Sequence, residues 1–565
     1  MTFPTLPLGT SDFKSLIEQG HYYIDKTPFI DDIIKGAAIT LLPRPRRFGK
    51  TLNMSMLNYF FNREGDHRHL FDGLAIEKNE QVMSHFGQYP VIYLSFKDVK
   101  ENRFENAIKN ISLLMQDLYI LNKPLLESSA ISCEDKAYFR TLCQGSLDTV
   151  VLAAGIKKLS QFLAAHYKKN VVILIDEYDM PINSAYTHGY YDELVGFLRN
   201  LLSGAFKDNP YLFKGVMTGI LRIARESIFS GLNNIEVCAL TDQDFNHYLG
   251  FTEKETEVLL NEYQLGHLLP DVRSWYNGYN FGGITIYNPW SMLHFVKKRG
   301  ELKPYWLNTS DNALVRDLIA RASPHVKQAL ERLMVDDMAV LNKPLQEHIA
   351  FRDIHHDDNA LWNFLLFSGY LRYSNKQMDD LGQTTVDFSI PNQEVRYFYM
   401  TAVIDWFNSH KAPHIPEIAQ ILKYLLEADF DAFAETFEQL VEDCFSYFDV
   451  TGSAAESFYH AFVLGMLVQL RSTHRVQSNR ESGYGRYDVC LLPHDITKPG
   501  FVFEFKNVSH RRSETLATAC DAALEQINTR RYIAELQSLG ITTAYPLAVA
   551  FDGKKVQVKV GVGKA

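Results

Sequence analysis

The chain has 565 residues, 46% hydrophobic and 22% charged, with a net charge of −10. That length exceeds what one core serves, so three or four domains are expected, and the acidic balance excludes a nucleic-acid coat over the whole surface. No apolar run approaches the roughly 18 residues that span a bilayer. Met1-Thr2-Phe3-Pro4 lacks the basic and apolar regions of a signal peptide. The six cysteines are scattered with no C-x-x-C pair, which reads as reduced thiols rather than a zinc site or a disulfide frame. A cytoplasmic protein is the expectation. The charge is uneven, however. Residues 453–565 carry 14 Lys/Arg against 10 Asp/Glu, a net of +4 that leaves −14 for the rest, so local contact with a phosphate backbone is open to the C-terminal part.

In chain order, residues 1–36 suggest short helices, with Thr27 as N-cap and Pro28 at the first helical position. Asp25 and Lys26 either approach a nucleotide base or, more commonly for such a pair, sit on the surface. An apolar run from Ala37 to Leu42 then leads into Pro43-Arg44-Pro45-Arg46-Arg47-Phe48-Gly49-Lys50-Thr51, and a helical stretch follows to Phe61. Gly49-Lys50-Thr51 ends like a phosphate-binding loop, in which main-chain N–H groups and the lysine hold phosphates and the hydroxyl ligates Mg²⁺. The pattern G-x-x-x-x-G-K-S/T wants glycine where Arg44 stands, and the flanking prolines remove donors. Arg46 and Arg47 can restore positive potential. A basic strand-to-helix turn is the bland alternative.

The run Val171–Ile175 ends in Asp176-Glu177 and reads as a strand buried on both faces, with its acids at the edge where ligands bind in open α/β sheets. Asp176 would hold the Mg²⁺ shell and Glu177 the attacking water. Strands at 37–42, 91–96, 171–175, 213–218 and 235–240 alternate with helices at 51–61, 104–121, 147–167 and 190–206. This pattern predicts a doubly wound parallel sheet. Thr218 ends the fourth strand; the extra strand between the Lys50 loop and the Asp176 strand resembles that of the additional-strand ATPases, which implies a place for Thr218 beside the γ-phosphate. Arg222 and Arg225 either stabilise transferred charge or form a basic helix start.

Tyr23-Ile24-Asp25-Lys26-Thr27, Arg44 to Thr51, Ile175-Asp176-Glu177-Tyr178-Asp179 and Thr218-Gly219 resemble the AAA-ATPase-like domain that accompanies a C-terminal PD-(D/E)XK nuclease-like domain in many uncharacterised bacterial proteins. Ser230-Gly231-Leu232-Asn233-Asn234, Trp275 to Tyr279 and Tyr287-Asn288-Pro289 extend the resemblance over nearly the whole chain. It implies an ATP-binding P-loop domain at 1–300, with Arg46, Arg47, Phe48, Gly49, Lys50, Thr51, Asp176 and Thr218 around the nucleotide and Mg²⁺.

Trp275-Tyr276-Asn277-Gly278-Tyr279 could stack a base, but such clusters more often pack a turn. Residues 301–452 read as a mainly helical spacer, with helices near 315–321, 327–334, 361–371 and one long stretch at 417–448, and a winged-helix-like unit around 340–400. Residues 453–565 follow the order helix (457–470), strands (474–479, 486–492, 500–506), helix (513–536), strands (545–551, 555–560). Along 501–506 the three phenylalanines share one face while Glu504 and Lys506 share the other, within reach of Asp488. Two carboxylates can hold Mg²⁺ and a neighbouring lysine can orient a water. An edge-strand salt bridge is the bland alternative.

Resemblance to the PD-(D/E)XK superfamily implies metal-dependent phosphodiester cleavage, with Asp488, Glu504 and Lys506 in the matching positions. It also implies phosphate contacts from Arg480 or Arg486, a further ligand from Glu481, and strand contacts from Gln526 and Tyr532. In the first helix the superfamily often has an acid, and here only Glu456 is near, with His460 one turn on. The combined expectation is an ATPase controlling a Mg²⁺-dependent DNA nuclease in genome maintenance or defence. The alternative is a nucleotide-dependent switch whose nuclease-like domain only binds nucleic acid or a partner. An arginine supplied by a second copy would require a homo-oligomer, an option the sequence leaves open.

Overall fold

The computed structural model describes residues 3–221, 234–307, 312–335, 338–347, 349, 353–354, 356–410, 416–444, 463, 466–467, 469–478, 481–482, 485–508, 514–552 and 555–561. They form two compact units. One comprises Met1–Leu314 and Asn342–Glu394, the other Val315–Leu341 and Val395–Ala565. The stretch read as a spacer is therefore shared between the units, and the chain crosses from one to the other at 314/315, 341/342 and 394/395.

The first unit is built on five strands: β1 (Ile39–Pro43), β2 (Val91–Ser95), β3 (Val171–Asp176), β4 (Leu212–Gly219) and β5 (Ile235–Val237). All pairings are parallel, in the order β2-β3-β4-β1-β5. Every residue of β1 and β3 is buried, as expected of central strands covered on both faces. The order places β4 between the strand before the Lys50 loop and the strand ending in Asp176. Both loops thus open at the carboxyl edge of one sheet, beside the end of β4. The helix Lys50–Phe61 leaves β1 through Gly49, whose φ of +87° suits a residue without Cβ. It buries Met54, Met56, Leu57, Phe60 and Phe61 in a core shared with Leu42, Val172, Leu174 and Val216.

At the N-terminus the helix runs Phe29–Lys35 with Pro28, not Thr27, at its cap. The Thr27 hydroxyl instead donates to Asp25 and accepts from the amide of Ile76. Lys26 is not a surface residue paired with Asp25. It is buried, and its ammonium bonds both carboxylate oxygens of Glu255 at 2.6 and 2.8 Å and the carbonyl of His247 at 2.7 Å. The Trp275–Tyr279 cluster packs, as such clusters more often do: Tyr276 and Tyr279 are buried, and a Cβ on Gly278 would lie 2.0 Å from the Pro391 carbonyl. Around 340–400 a three-stranded sheet, ordered Arg372–Met378, Thr384–Ser389, Leu341–Pro344, accompanies the helix Asp358–Phe367.

Glu394, the last residue of the first unit, is fully buried. Its carboxylate accepts from the Trp306 amide at 2.7 Å and the Ser291 hydroxyl at 2.8 Å. Burial pushes its carboxyl up to about 8, against those hydrogen bonds. A folded-state value above the unfolded one means the folded chain holds the extra proton. The associated stability is therefore full below the ordinary glutamate range and is lost as pH rises through about 8. Melting scans from pH 5 to 9 should show this decline, and Glu394→Gln, which keeps the acceptor, should flatten it. An equally steep decline in the variant would remove Glu394 as its source.

The second unit carries a sheet of β6 (His474–Ser478), β7 (Val489–Pro493), β8 (Gly500–Asn507), β9 (Ala544–Asp552) and β10 (Lys555–Val560), in that spatial order. Phe501, Phe503 and Phe505 of β8 enter a core with the helices Ile418–Leu426 and Phe430–Cys444. These two helices replace the single one read over 417–448. Ala428, at φ +58°, cannot continue an α-helix. The predicted 513–536 helix likewise divides, into Leu516–Thr529 and Ile533–Ser538, at Arg531 (φ +56°).

Candidate functional site

At the edge of the parallel sheet, side chains from the start of the Lys50–Phe61 helix and from the ends of β3 and β4 converge. The Thr51 hydroxyl donates to Asp176 Oδ2 at 2.8 Å, and the Thr218 hydroxyl donates to Asp176 Oδ1 at 2.5 Å. Burial raises the Asp176 carboxyl, with the Glu177 charge adding to it and the two hydroxyls and Lys50 opposing. A carboxylate raised by burial and held beside a hydroxyl is an all-oxygen set suited to a hard divalent cation, which would relieve its desolvation.

Lys50 is 3% exposed. Its ammonium bonds the carbonyls of Arg44 at 3.0 Å and Pro45 at 3.1 Å, and lies 3.3 Å from Glu177 Oε1. Glu177 has φ +52°, and its Oε2 is buried with no hydrogen-bond partner among the described residues. An acceptor so placed fits a water or a substrate hydroxyl. Behind it, Asp179 accepts from the amides of Ile220 and Leu221 at 2.7 and 3.0 Å, and the Tyr178 hydroxyl donates to the Leu221 carbonyl. The end of β4 is thereby tied to the end of β3. Gly219 permits the approach, since a Cβ there would lie 2.7 Å from both Asp179 Oδ1 and the Tyr178 ring.

The arginines of the loop divide. Arg44 is fully buried and points away from the site, its guanidinium donating to the carbonyls of Pro43 and Cys238 and lying over the Phe281 ring. It is a packing residue where the phosphate-loop pattern has glycine. Its amide is also engaged, by the Gly219 carbonyl at 3.0 Å. With prolines at 43 and 45, positions 43–45 offer no free main-chain donor to a phosphate. Arg47 stacks on Trp290 at 3.8 Å. Phe48 is buried against Tyr279 and Phe281, so its side chain anchors the loop and presents no stacking face.

Arg46, Arg47, Gly49, Lys50, Thr51 and Glu177 line a cavity of about 490 Å³, a size usual for small-molecule sites. Its other walls include Tyr22-Tyr23-Ile24, Lys97, Asp98, Lys100, Tyr248 and Trp290. Sequence reasoning missed Lys97, Asp98 and Lys100. Their signal was present: they follow the end of a recognised strand of the same parallel sheet, the edge where ligands gather. Arg222 and Arg225, and the resembling stretch Ser230–Asn233, lie outside the described residues.

In the second unit, Lys506 donates to Glu504 Oε1 at 3.1 Å and to Gln526 Oε1 at 2.8 Å, and Gln526 Nε2 also donates to Glu504. Val489 pairs with Phe503 in the antiparallel β7/β8 ladder, so Asp488, one step before it, comes level with Glu504. Asp488 Oδ2 accepts from the Phe505 amide at 2.8 Å, and burial raises its carboxyl against that bond and the Lys506 charge. The paired carboxylates suit Mg²⁺, which commonly takes only one or two from the protein. Among the described residues no group of three or more His, Cys, Asp or Glu forms a metal cluster.

Tyr532 is a correction: it is 1% exposed and packs edge-on against Tyr487 at 5.9 Å, so it is a core residue and does not face a nucleic-acid strand. Arg480, Glu456 and His460, and the side chains of Glu481 and Arg486, lie outside the described residues.

Residues 7–229 match the family model described as predicted AAA-ATPase, and residues 454–560 match that of the PD-(D/E)XK nuclease superfamily. An AAA-ATPase-like domain and a PD-(D/E)XK nuclease-like domain share this chain. The AAA-ATPase-like match takes in β1 to β4 with the Lys50 loop, and the nuclease-like match takes in Asp488, Glu504, Lys506 and Gln526. A protein of Azotobacter chroococcum mcd 1, described as an uncharacterized protein in the vnfD 5' region, is 27% identical over 551 residues, 96% of this chain and 95% of its own length. No helix among the described residues is long and apolar enough to cross a membrane.

Proposed function

We propose that the chain binds and hydrolyses ATP at the Lys50 loop and cleaves DNA phosphodiesters at the Asp488-Glu504-Lys506 site, with ATP turnover controlling cleavage. The observation that carries this is the meeting in space of residues that lie apart in the sequence: Thr51 on Asp176, and Asp488 level with Glu504 and its neighbour Lys506. Mg²⁺, held by Thr51 and Asp176 in one domain and by Asp488 and Glu504 in the other, would supply Lewis acidity.

The resting contacts suggest the order of events. Lys50 is tied to Glu177 and two loop carbonyls. Arriving β- and γ-phosphates compete for the ammonium, and its departure frees Glu177 to orient water. Thr218 steadies Asp176 during the exchange. In the nuclease-like domain Gln526 holds Lys506 against Glu504, so the ammonium stands beside the phosphate to be cut and stabilises the developing charge.

The test is cleavage of plasmid and single-stranded DNA with Mg²⁺ or Mn²⁺, with and without ATP, by wild type and Lys506→Ala. Cleavage lost in the variant and altered by ATP in the wild type is the expected result. Wild type and variant equally inert under every condition would overturn the nuclease reading and favour a nucleotide-dependent switch.

A further inference from the structure

We infer that Lys97 and Lys100, on the loop after β2, are catalytic phosphate-contacting cations of the ATP site, so that one copy of the chain supplies its own charge stabilisation for phosphoryl transfer. This rests on the nucleotide reading of the Lys50 loop.

The loop has a fixed relation to the chemistry. Ser95 is in register with Asp176, and the Phe96 amide donates to the Asp176 carbonyl at 3.0 Å. Residues 97–100 therefore leave the sheet beside Glu177, and Lys97 and Lys100 line the same cavity as Lys50. Neither ammonium has an ion-pair partner among the described residues. An ammonium on a flexible four-carbon stem can follow a moving phosphoryl group as a point charge.

The rest of the site explains why such cations are wanted. A glycine-rich loop surrounds phosphates with main-chain N–H groups. Here positions 43–45 provide none, because two are prolines and the Arg44 amide is bound to Gly219. The Arg44 guanidinium is buried against Pro43 and Cys238, and Arg47 lies on Trp290. Lys50 starts beside the Glu177 carboxylate. Among the described residues, Lys97 and Lys100 are cavity-lining ammonium groups without an ion-pair partner, available as charge spreads over the equatorial oxygens of the transferred group.

The experiment compares wild type with K97M/K100M, which keeps the stems without the charges, and K97R/K100R, which restores charge. ATP turnover is measured at several protein concentrations, alongside the Kd for a non-hydrolysable ATP analogue. The expectation is a fall in kcat of about 100-fold or more in the methionine variant, in line with a charge-stabilising residue. The analogue Kd should change by less than about fivefold, arginine should recover activity, and wild-type activity per molecule should not depend on protein concentration. Wild-type kcat in the methionine variant, or activity per molecule rising with concentration, overturns the inference while leaving the nucleotide site intact. A wild type that does not bind the analogue removes both.

Discussion

Lys50→Ala is expected to abolish nucleotide binding, with Kd for ATP weakened about 100-fold or more, close to 3 kcal/mol. The ammonium is the most deeply placed cation in the cavity, and its resting ligands are exchangeable: two carbonyls and one carboxylate oxygen. The same substitution should lower stability, because it leaves Glu177 with a largely buried charge and no counter-ion. Losing one partner of such a pair costs about 3–5 kcal/mol. Adding Glu177→Ala should therefore recover part of the lost melting temperature without recovering binding. Glu177→Gln alone should keep binding and lose turnover, since it retains the shape but not the carboxylate that the proposed mechanism uses to orient water. Thermal melts with and without ATP decide the matter, because a ligand at 100 times its Kd adds about 2.7 kcal/mol. An ATP-induced shift of wild-type size in Lys50→Ala would sink the assignment.

Glu504→Ala is expected to remove DNA cleavage by about 1,000-fold or more while the second unit stays folded. Glu504 is the acceptor that both Lys506 and Gln526 reach, and it lies level with Asp488 across the β7/β8 ladder. On the proposed nuclease reading its removal takes away a metal ligand and the group that positions the ammonium together, which leaves that chemistry no substitute route. The fold should survive because Phe501, Phe503 and Phe505 hold the opposite face of the same strand in the core. Gln526→Ala should cost less, since Glu504 continues to hold Lys506 directly. Cleavage assays paired with circular dichroism would test this. Retained cleavage in a folded Glu504→Ala protein would place the active site elsewhere.

Much of this was legible in the residues. The apolar runs at 37–42 and 171–175 read as parallel strands, and the alternation of Phe501, Phe503 and Phe505 with Glu504 and Lys506 showed which groups share a face, because a strand has a period of two. Helix breaks were not legible. Nothing in composition marks Ala428 or Arg531 as left-handed residues, and tertiary packing chose those turns. Tyr532 read as a nucleic-acid strand contact through the resemblance alone, which carries no mark of the face the side chain will take. Packing against Tyr487 decided it.

By itself the sequence determined the chemistry present: a lysine-threonine loop, two carboxylates closing a strand, and a second set at 488, 504 and 506. Those are local patterns, written in residue type and spacing. Only the tertiary structure decided which groups meet and what each is bound to at rest. Arg44 turned inward, Lys26 found Glu255, Lys50 found Glu177, and the loop after β2 came to line the cavity beside Lys50. These contacts join segments far apart in the chain, and periodicity carries no record of which distant segments the topology brings together.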